Sequence, residues 1–471
     1  MGISLNPATL LSGQGIDVSS LVNQILSQSS GQLTVWQNEQ TALQSQATDL
    51  TGINAALTNL ATAVSALSDP LGALTAQAAT SSNTSVLTAT AQTSAIAGVH
   101  QIVVGSLATT GTVYTEPFAA GPTTSILPTG ATTGEIDLQV GGSTGTLHAI
   151  TITPGSNDTL NTLASYINAQ NWGVTANVVT DANGSRLALS STATGTPGAL
   201  AITSNNTNLT FDAPIGGTNA SLTIDGVPYS SSANTITGAI AGVTLNLAGA
   251  SPGNAVQLTV GPDVAQATSA INNFVSAYNQ VISDINLEYQ VIGPNNSQGP
   301  LGSDASLRQL QSSLLTDAAY SVSGNSGVVN LASLGISTNN DGTLTVDPTQ
   351  LNSSFASTPA AVQSFFQNSA QTGFANSFSS DLTNLTDPTQ GILNVDLAQN
   401  QVSQQGLSTS IANFETQLNI QQQQLTIEYS QVNASLQAYP LLLQQITETL
   451  ATLGSGGSGT SSTSPTLTSG L

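Results

Sequence analysis

His100 and His148 are the residues of this sequence best suited to general acid–base chemistry, because only histidine has an ordinary pKa near neutral pH. Both lie in alternating strand patterns, VHQIVV (99–104) and LHAITI (147–152). No cluster of histidine and glutamate has the spacing of a metal site. We therefore expect both histidines to occupy ordinary strand positions, and we predict no catalytic, cofactor-binding or metal-binding residues.

Two other patterns resemble ligand sites only in part. The segment STNNDG (337–342) is similar to the start of a calcium loop, but Ser337 stands at the first ligand position and Pro348 at the twelfth. A hairpin turn at 340–342 is expected instead. Gly141-Gly142 lacks a phosphate-loop lysine, so a turn is expected there as well. The chain has no cysteine, which excludes disulfides and thiolate metal sites.

The charge of the chain limits its possible partners. Two basic residues stand against 24 acidic ones, giving a formal net charge of −22. Nucleic-acid binding and attachment to an anionic membrane both need basic surface, so both are excluded. No apolar run reaches the roughly 18 residues of a membrane span, and residues 1–17 lack the features of a cleaved secretory signal. We expect no membrane insertion, and either a cytoplasmic protein or one exported with its N-terminus intact.

The two ends of the sequence predict long helices with a heptad repeat. Residues 17–68 are predicted to form one helix, capped by Asp17 and ended by Asp69-Pro70. Residues 396–453 mirror it, with Pro440 expected to kink the helix. The apolar heptad positions predict an assembly seam, which we define as Val22, Ile25, Trp36, Leu43, Leu50, Leu57, Ile411, Phe414, Leu418, Leu425 and Val432.

The second heptad position turns polar in the C-terminal helix, where it reads Gln421, Glu428 and Ser435. Leaving three apolar residues out of a packed face forgoes at most roughly 5–9 kcal/mol. We therefore expect that these ends do not fold firmly in a single chain and become ordered when neighbours cover them. Glu39 and Glu428 occupy the polar position in the two helices and are expected to face solvent rather than each other.

Between the helical ends, the period changes to that of strands. Residues 80–262 are predicted to be β-rich, with a hairpin around 181–184, a tight turn at Asp225-Gly226 and one helix that presents Leu160, Leu163 and Ile167 on one face. Helices resume at Pro262-Asp263, continue near 303–320, and include a short helix capped by Thr358. The predicted fold class is therefore α+β and multidomain, with a coiled-coil leg of end helices and a nested β-rich head of two domains.

Several ordered motifs resemble the flagellar filament cap family, hook-associated protein 2 (FliD). They are SGQGIDVSSLVNQIL (12–26), the 133–203 repeat shared with flagellins, ASLTIDGVPYSSSANTITGAIAGVTLNL (220–247), FVSAYNQVI (274–282) and LASLGISTNNDGTLTVD (331–347). The resemblance implies an extracellular, non-catalytic protein, secreted through the flagellar export channel, that forms a ring, usually a pentamer, at the filament tip. It implies flagellin, filament-tip or hook–filament junction proteins and an export chaperone as partners, and no cofactor.

The nesting and the resemblance together predict the domain division. The predicted parts are 1–42 (N-terminal helical end with a flexible start), 43–80 plus 263–425 (helical leg), 81–112 plus 212–262 (head domain), 113–211 (inserted head domain) and 426–471 (C-terminal helical end and Gly/Ser tail). Two alternatives stay open: a surface adhesin that uses the head, and another hook-associated or flagellin-like filament component. The 220–282 block argues against the second.

Overall fold

The N-terminal part of the chain forms two helices rather than the single predicted one. The computed structural model describes residues 16–291, 298–368 and 370–455, so the predicted flexible start and the tail beyond 455 lie outside the described residues. Helix α1 (Val18–Ser29) begins at Asp17, whose carboxylate accepts a hydrogen bond from the Ser20 amide at 3.1 Å. Helix α2 (Gly31–Ser68) ends at Asp69, as predicted. The break falls at Ser30, where two serines and a glycine in succession have poor helix propensity.

Helix α2 supplies one side of the core of the helical leg. Its second half is buried at Leu50, Ile53, Leu57, Leu60 and Val64. This helix is long and apolar enough to cross a membrane by length and composition alone. Its buried face instead packs against helices of the same chain, and a core helix passes the same test.

The remaining helices of the leg close that core. The helices after the β-rich region are α4 (Val264–Tyr289), α5 (Ala305–Ala318), α6 (Pro348–Ser357), α7 (Pro359–Phe366), α8 (Phe374–Leu385) and α9 (Ile392–Ser455), numbered after α3 (Leu160–Ala169) in the head. Phe274 and Tyr278 of α4 meet Phe374 and Phe378 of α8 in a buried aromatic cluster. Thr358 stands at the predicted cap position of α7, but its hydroxyl donates to the Ser354 carbonyl of the preceding helix and does not cap α7.

The first part of the head is a β-sandwich whose strands come from two separate segments of the chain, 77–106 and 220–262. Its five-stranded sheet has the order β1-β14-β3-β10-β11, and its three-stranded sheet has the order β12-β13-β2. The bounds are β1 Gln77–Ser81, β2 Leu87–Ala91, β3 Gly98–Ser106, β10 Ala220–Ile224, β11 Val227–Ser231, β12 Thr235–Ile240, β13 Val243–Leu247 and β14 Val256–Pro262. The Asp225-Gly226 turn joins β10 to β11 as predicted, and both residues have positive φ, as a type I′ turn requires.

A second β-rich unit is inserted between β3 and β10. It consists of sheets β4-β8-β7 and β6-β5-β9 around helix α3. The bounds are β4 Thr110–Tyr114, β5 Gly134–Val140, β6 Thr146–Ile152, β7 Val174–Asp181, β8 Gly184–Thr194 and β9 Leu200–Asn205. The predicted hairpin at 181–184 and the buried face of α3 at Leu160, Leu163 and Ile167 are both confirmed.

The 340–342 turn and the fold class are also as predicted. Strands β15 (Ile336–Thr338) and β16 (Leu344–Val346) form a hairpin within the leg, closed by a 2.7 Å hydrogen bond from the Asn339 amide to the Thr343 carbonyl. Terminal helices therefore enclose a central β-rich region, which makes the fold α+β with a nested head. The C-terminal helix α9 has 64 residues and includes Pro440.

Candidate assembly interface

The N-terminal helices α1 and α2 run antiparallel to the C-terminal helix α9. Three contacts fix this direction, because their residue numbers rise in one helix as they fall in the other. The Ile16 amide donates to Asn433 Oδ1 at 2.6 Å, the rings of Trp36 and Phe414 meet edge to face at 5.5 Å, and Asn54 Nδ2 donates to Asn394 Oδ1 at 2.9 Å. The two ends of the chain therefore form one helical leg.

The predicted seam residues are spread along this leg with very different burial. Val22, Leu50, Leu57 and Ile411 are buried, whereas Val432 is 43% exposed. The others, Ile25, Trp36, Leu43, Phe414, Leu418 and Leu425, are half-buried.

Val432 lies outside the contact face because a straight α-helix drifts by about 20° for every heptad of strict seven-residue spacing. After Leu425, the residues of α9 that face α1 are Tyr429, Asn433 and Leu436, which are half-buried. Sequence reasoning missed these three residues because it kept the spacing at seven. Allowing for the angular drift that accumulates along so long a helix could have identified them.

A polar network lies inside the leg, where the heptad pattern predicted only Leu43. Asn400, which is 7% exposed, donates from Nδ2 to the Leu43 carbonyl at 3.1 Å. Gln404 Nε2 donates to the same carbonyl at 3.3 Å and to Asn400 Oδ1 at 2.6 Å. A buried amide network of this kind can pair in one register only, so it fixes how α9 sits on α2. The Asn–Gln pair four residues apart was its only sequence signal.

The polar heptad positions in the middle of α9 and at Glu39 of α2 are open to solvent, whereas Gln46 of α2 is half-buried. Gln421, Glu428 and Ser435 are exposed, and so is Glu39 of α2. The two glutamates therefore face solvent in the single chain.

The last part of α9 is apolar but is not covered by the described residues. From 439 onwards its large side chains are about half to three-quarters exposed: Tyr439, Leu441, Leu442, Leu443, Ile446, Leu450 and Leu453. Burying a leucine side chain contributes about 1.5–3 kcal/mol. This stretch is thus a large source of association energy that the isolated chain leaves unused.

A buried carboxyl group holds the loop beside α2 in place. Glu288 at the end of α4 is 7% exposed, and its Oε2 accepts a hydrogen bond from the Leu301 amide at 2.8 Å. Burial raises the pKa of Glu288, and the nearby charge of Asp49 on α2 raises it further. Gln46 of α2 also donates to the Pro300 carbonyl at 3.1 Å.

The two histidines occupy strands and form no metal site with their neighbours. His100 lies in β3, with Nδ1 2.7 Å from Asp225 Oδ2, and the hydrogen bond from His100 lowers the pKa of that carboxyl. His148 lies in β6 and stacks on Trp172 with ring centroids 4.4 Å apart. Within 16–291, 298–368 and 370–455, no group of three or more histidine and acidic residues could hold a metal ion.

Comparison with known proteins gives matches over most of the chain. The model of the flagellar hook-associated protein 2 N-terminus matches residues 14–111, that of its C-terminus matches 217–439, and that of the flagellin hook IN motif matches 135–193. B-type flagellar hook-associated protein 2 of Pseudomonas aeruginosa PAO1 is 31% identical over 84% of this chain and 89% of its own. Flagellar hook-associated protein 2 of Escherichia coli K12 is 26% identical over 79% and 82%.

A solved structure shares the fold. The crystal structure of the flagellar cap protein FliD D1-D2-D3 domains from Escherichia coli matches with a TM-score of 0.57 and 28% identity. The match covers 75% of this chain and 99% of that one.

Proposed function

This chain belongs to the flagellar hook-associated protein 2 family, and we propose that it caps the tip of a bacterial flagellar filament. As a cap it retains exported flagellin and promotes its polymerisation, and so it serves motility. The role is structural rather than enzymatic. The observation that carries this proposal is the shared fold with a flagellar cap protein over three-quarters of the chain. The comparisons favour the cap over the adhesin and the flagellin-like component.

We further propose that the cap is a homo-oligomeric ring of five chains. The uncovered apolar stretch of α9 supports association, because the described residues leave its leucines in contact with water. The assembly seam predicted from Val22 to Val432 would then act twice. Its buried and half-buried members hold the leg of one chain together, and the exposed Val432 meets neighbours or the filament.

The partners and the route to the tip are proposed on the same basis. Flagellin, the filament tip or the hook–filament junction proteins would contact the leg, and a flagellar export chaperone would hold the chain before secretion. Export through the flagellar channel would place the protein outside the cell. The small number of charged side chains would ease passage of the unfolded chain through the channel. No disulfide could obstruct that passage, because the chain has no cysteine.

The division into domains is likewise a proposal. Its support is that most buried apolar residues fall into three separate clusters, one in the leg, one in the β-sandwich and one in the inserted unit. These correspond to 43–80 plus 263–425, to 81–112 plus 212–262, and to 113–211.

The proposed function is tested by deleting the gene for this protein in a motile strain. The expected result is a non-motile strain that releases unpolymerised flagellin into the medium, measured by immunoblot of the culture supernatant. Complementation with the full chain should restore filaments, whereas a chain ending at Ala438 should not. A deletion strain with filaments of normal length would contradict the cap function. Filaments restored by the shortened chain would contradict the role given to the end of α9.

A further inference from the structure

Asp317 of α5 and Asp381 of α8 bring two carboxyl groups to one place in the leg. Both line a small cavity between these helices, together with Thr316 and Asn384. Asp381 is exposed, whereas the side chain of Asp317, which lies within hydrogen-bonding range of the Asp381 carboxyl, is half-buried. The Oδ2 atom of Asp317 is buried and has no hydrogen-bond partner among the described residues. Two carboxyl groups can share a hydrogen bond only if one of them carries a proton.

The described surroundings of this pair offer no cation to balance its charge. Arg308 lies on the same helix, but its guanidinium donates to the Ser303 carbonyl at 3.4 Å, near the start of α5. Tyr278 of α4 is the other titratable group close by, and its hydroxyl donates to the Leu314 carbonyl at 3.4 Å. Helix α9, which also packs against α5, adds another acid, Asp396, in its first two turns.

The charged form of Asp317 is therefore disfavoured for two reasons. Burial is the larger, and the hydrogen bond and charge of Asp381 add to it, so that the pKa of Asp317 rises from 3.8 to about 7. Since the folded pKa lies above the unfolded one, the folded state binds the proton more tightly. Its stabilising effect is complete below about pH 4 and is lost as the pH rises through 7.

We propose that Asp317 and Asp381 form a proton-operated clasp that joins α5 to α8 in acidic medium and loosens in alkaline medium. The clasp affects the packing of the leg's core, because α8 also supplies Phe374 and Phe378 to the buried aromatic cluster. When both carboxylates are ionised, their repulsion pushes α8 away from α5 and weakens that packing. The leg thus holds its core most firmly at low pH.

The test compares the thermal unfolding of the full chain and two variants between about pH 5 and pH 8. Asp381→Asn keeps a hydrogen-bonding side chain but cannot ionise, so it removes the repulsion. Glu415→Gln, at an exposed position of α9, is the matched control for the loss of one negative charge. Wild type and control should lose stability as the pH rises. Asp381→Asn should lose less, with a fraction of a proton fewer linked to unfolding near pH 6, because burial still raises the pKa of Asp317 in the variant. A variant with the wild-type pH slope would overturn the proposal.

Amide exchange of the wild-type protein gives a second readout that does not depend on any variant folding. After correction for the intrinsic effect of pH on exchange, the opening of 305–318 and 374–385 should increase by up to about tenfold in total between pH 6 and pH 8. Equal opening at the two pH values would overturn the clasp.

Discussion

The side chain of Asn400 donates a 3.1 Å hydrogen bond to the backbone carbonyl of Leu43, which joins residues 357 positions apart in the chain. This bond links α9 to α2 just before the buried second half of α2 begins at Leu50. Gln404 supports it from one turn further along α9. Because an amide pair satisfies its donors in one register only, the bond decides which residues of α9 reach α1.

Loss of this network should weaken the leg. We expect Asn400→Ala to lower the free energy of unfolding by about 1–3 kcal/mol, because it leaves buried polar groups without partners. Chemical denaturation followed by helical circular dichroism measures the change. Asn413→Ala, at an exposed position on the same helix, is the control and should change stability by no more than about 0.5 kcal/mol. Equal effects of the two variants would show that Asn400 has no special role.

The inserted head unit should be removable. The chain enters the inserted unit and returns from it at neighbouring positions, because the Thr112 amide donates a hydrogen bond to the Ile215 carbonyl at 2.9 Å. A short Gly-Ser bridge in place of 113–211 should therefore leave the leg folded and the ring largely intact, as measured by the helical circular dichroism per chain and by native mass spectrometry. Loss of the leg's helical signal in this variant would contradict the nesting.

A substitution at Glu288 should alter how stability depends on pH. Burial raises the pKa of Glu288 in the folded protein, so its contribution to stability is present at low pH and is lost as the pH rises through the folded value. Glu288→Gln can still accept the hydrogen bond from the Leu301 amide but cannot ionise. We expect a smaller loss of stability than in wild type as the pH rises above the ordinary range of a glutamate carboxyl, measured by thermal unfolding. A steeper loss of stability with rising pH in Glu288→Gln than in wild type would show that the pKa of Glu288 is not raised in the folded protein.

Much of this fold follows from residue patterns that act locally. Asp17, Asp69-Pro70 and Asp225-Gly226 mark helix ends and a turn through their own chemistry, and the structure has each of these features where it was predicted. The break at Ser30 was missed because apolar heptad residues flank it on both sides, at Val22 and Trp36, so the lapse at Ser29 was read as part of one helix. Val432 and Asn433 show a different limit. Which of two adjacent residues faces a partner depends on the angular drift of the whole helix, and strict seven-residue spacing does not include that drift.

The site was harder to predict than the fold because its contacts join distant parts of the chain. Nothing near Asn400 in sequence indicates that Leu43 will lie opposite. The pairing of Asp317 with Asp381 likewise depends on how α5 packs against α8. Neither the polar network nor the carboxyl pair could be located before the helices were placed.

Completing the polar heptad position should make the C-terminal helix associate too early. The triple change Gln421→Leu, Glu428→Leu and Ser435→Leu adds three exposed leucines to α9. We expect stronger self-association of the isolated protein by analytical ultracentrifugation, and fewer or shorter filaments on cells, because a prematurely closed end resists export and cannot dock.

The matched control for this change moves the same substitutions two residues along the helix. Gln423→Leu, Ser430→Leu and Gln437→Leu are exposed positions rotated by about 200° from the first set. They should have a smaller effect on association and on filament length. Normal swimming with the first triple change would show that its positions are ordinary surface.

The measurement that tests the account most directly is amide hydrogen exchange of the wild-type chain, free and assembled, across 414–453. In one chain this stretch is at most half-buried, and we propose that neighbours or the filament tip cover the rest. We expect fast exchange over 414–453 in the monomer and strong protection in the assembled ring, with little change in the buried half of α2. Strong protection that is already complete in the monomer and unchanged by assembly would contradict this proposal.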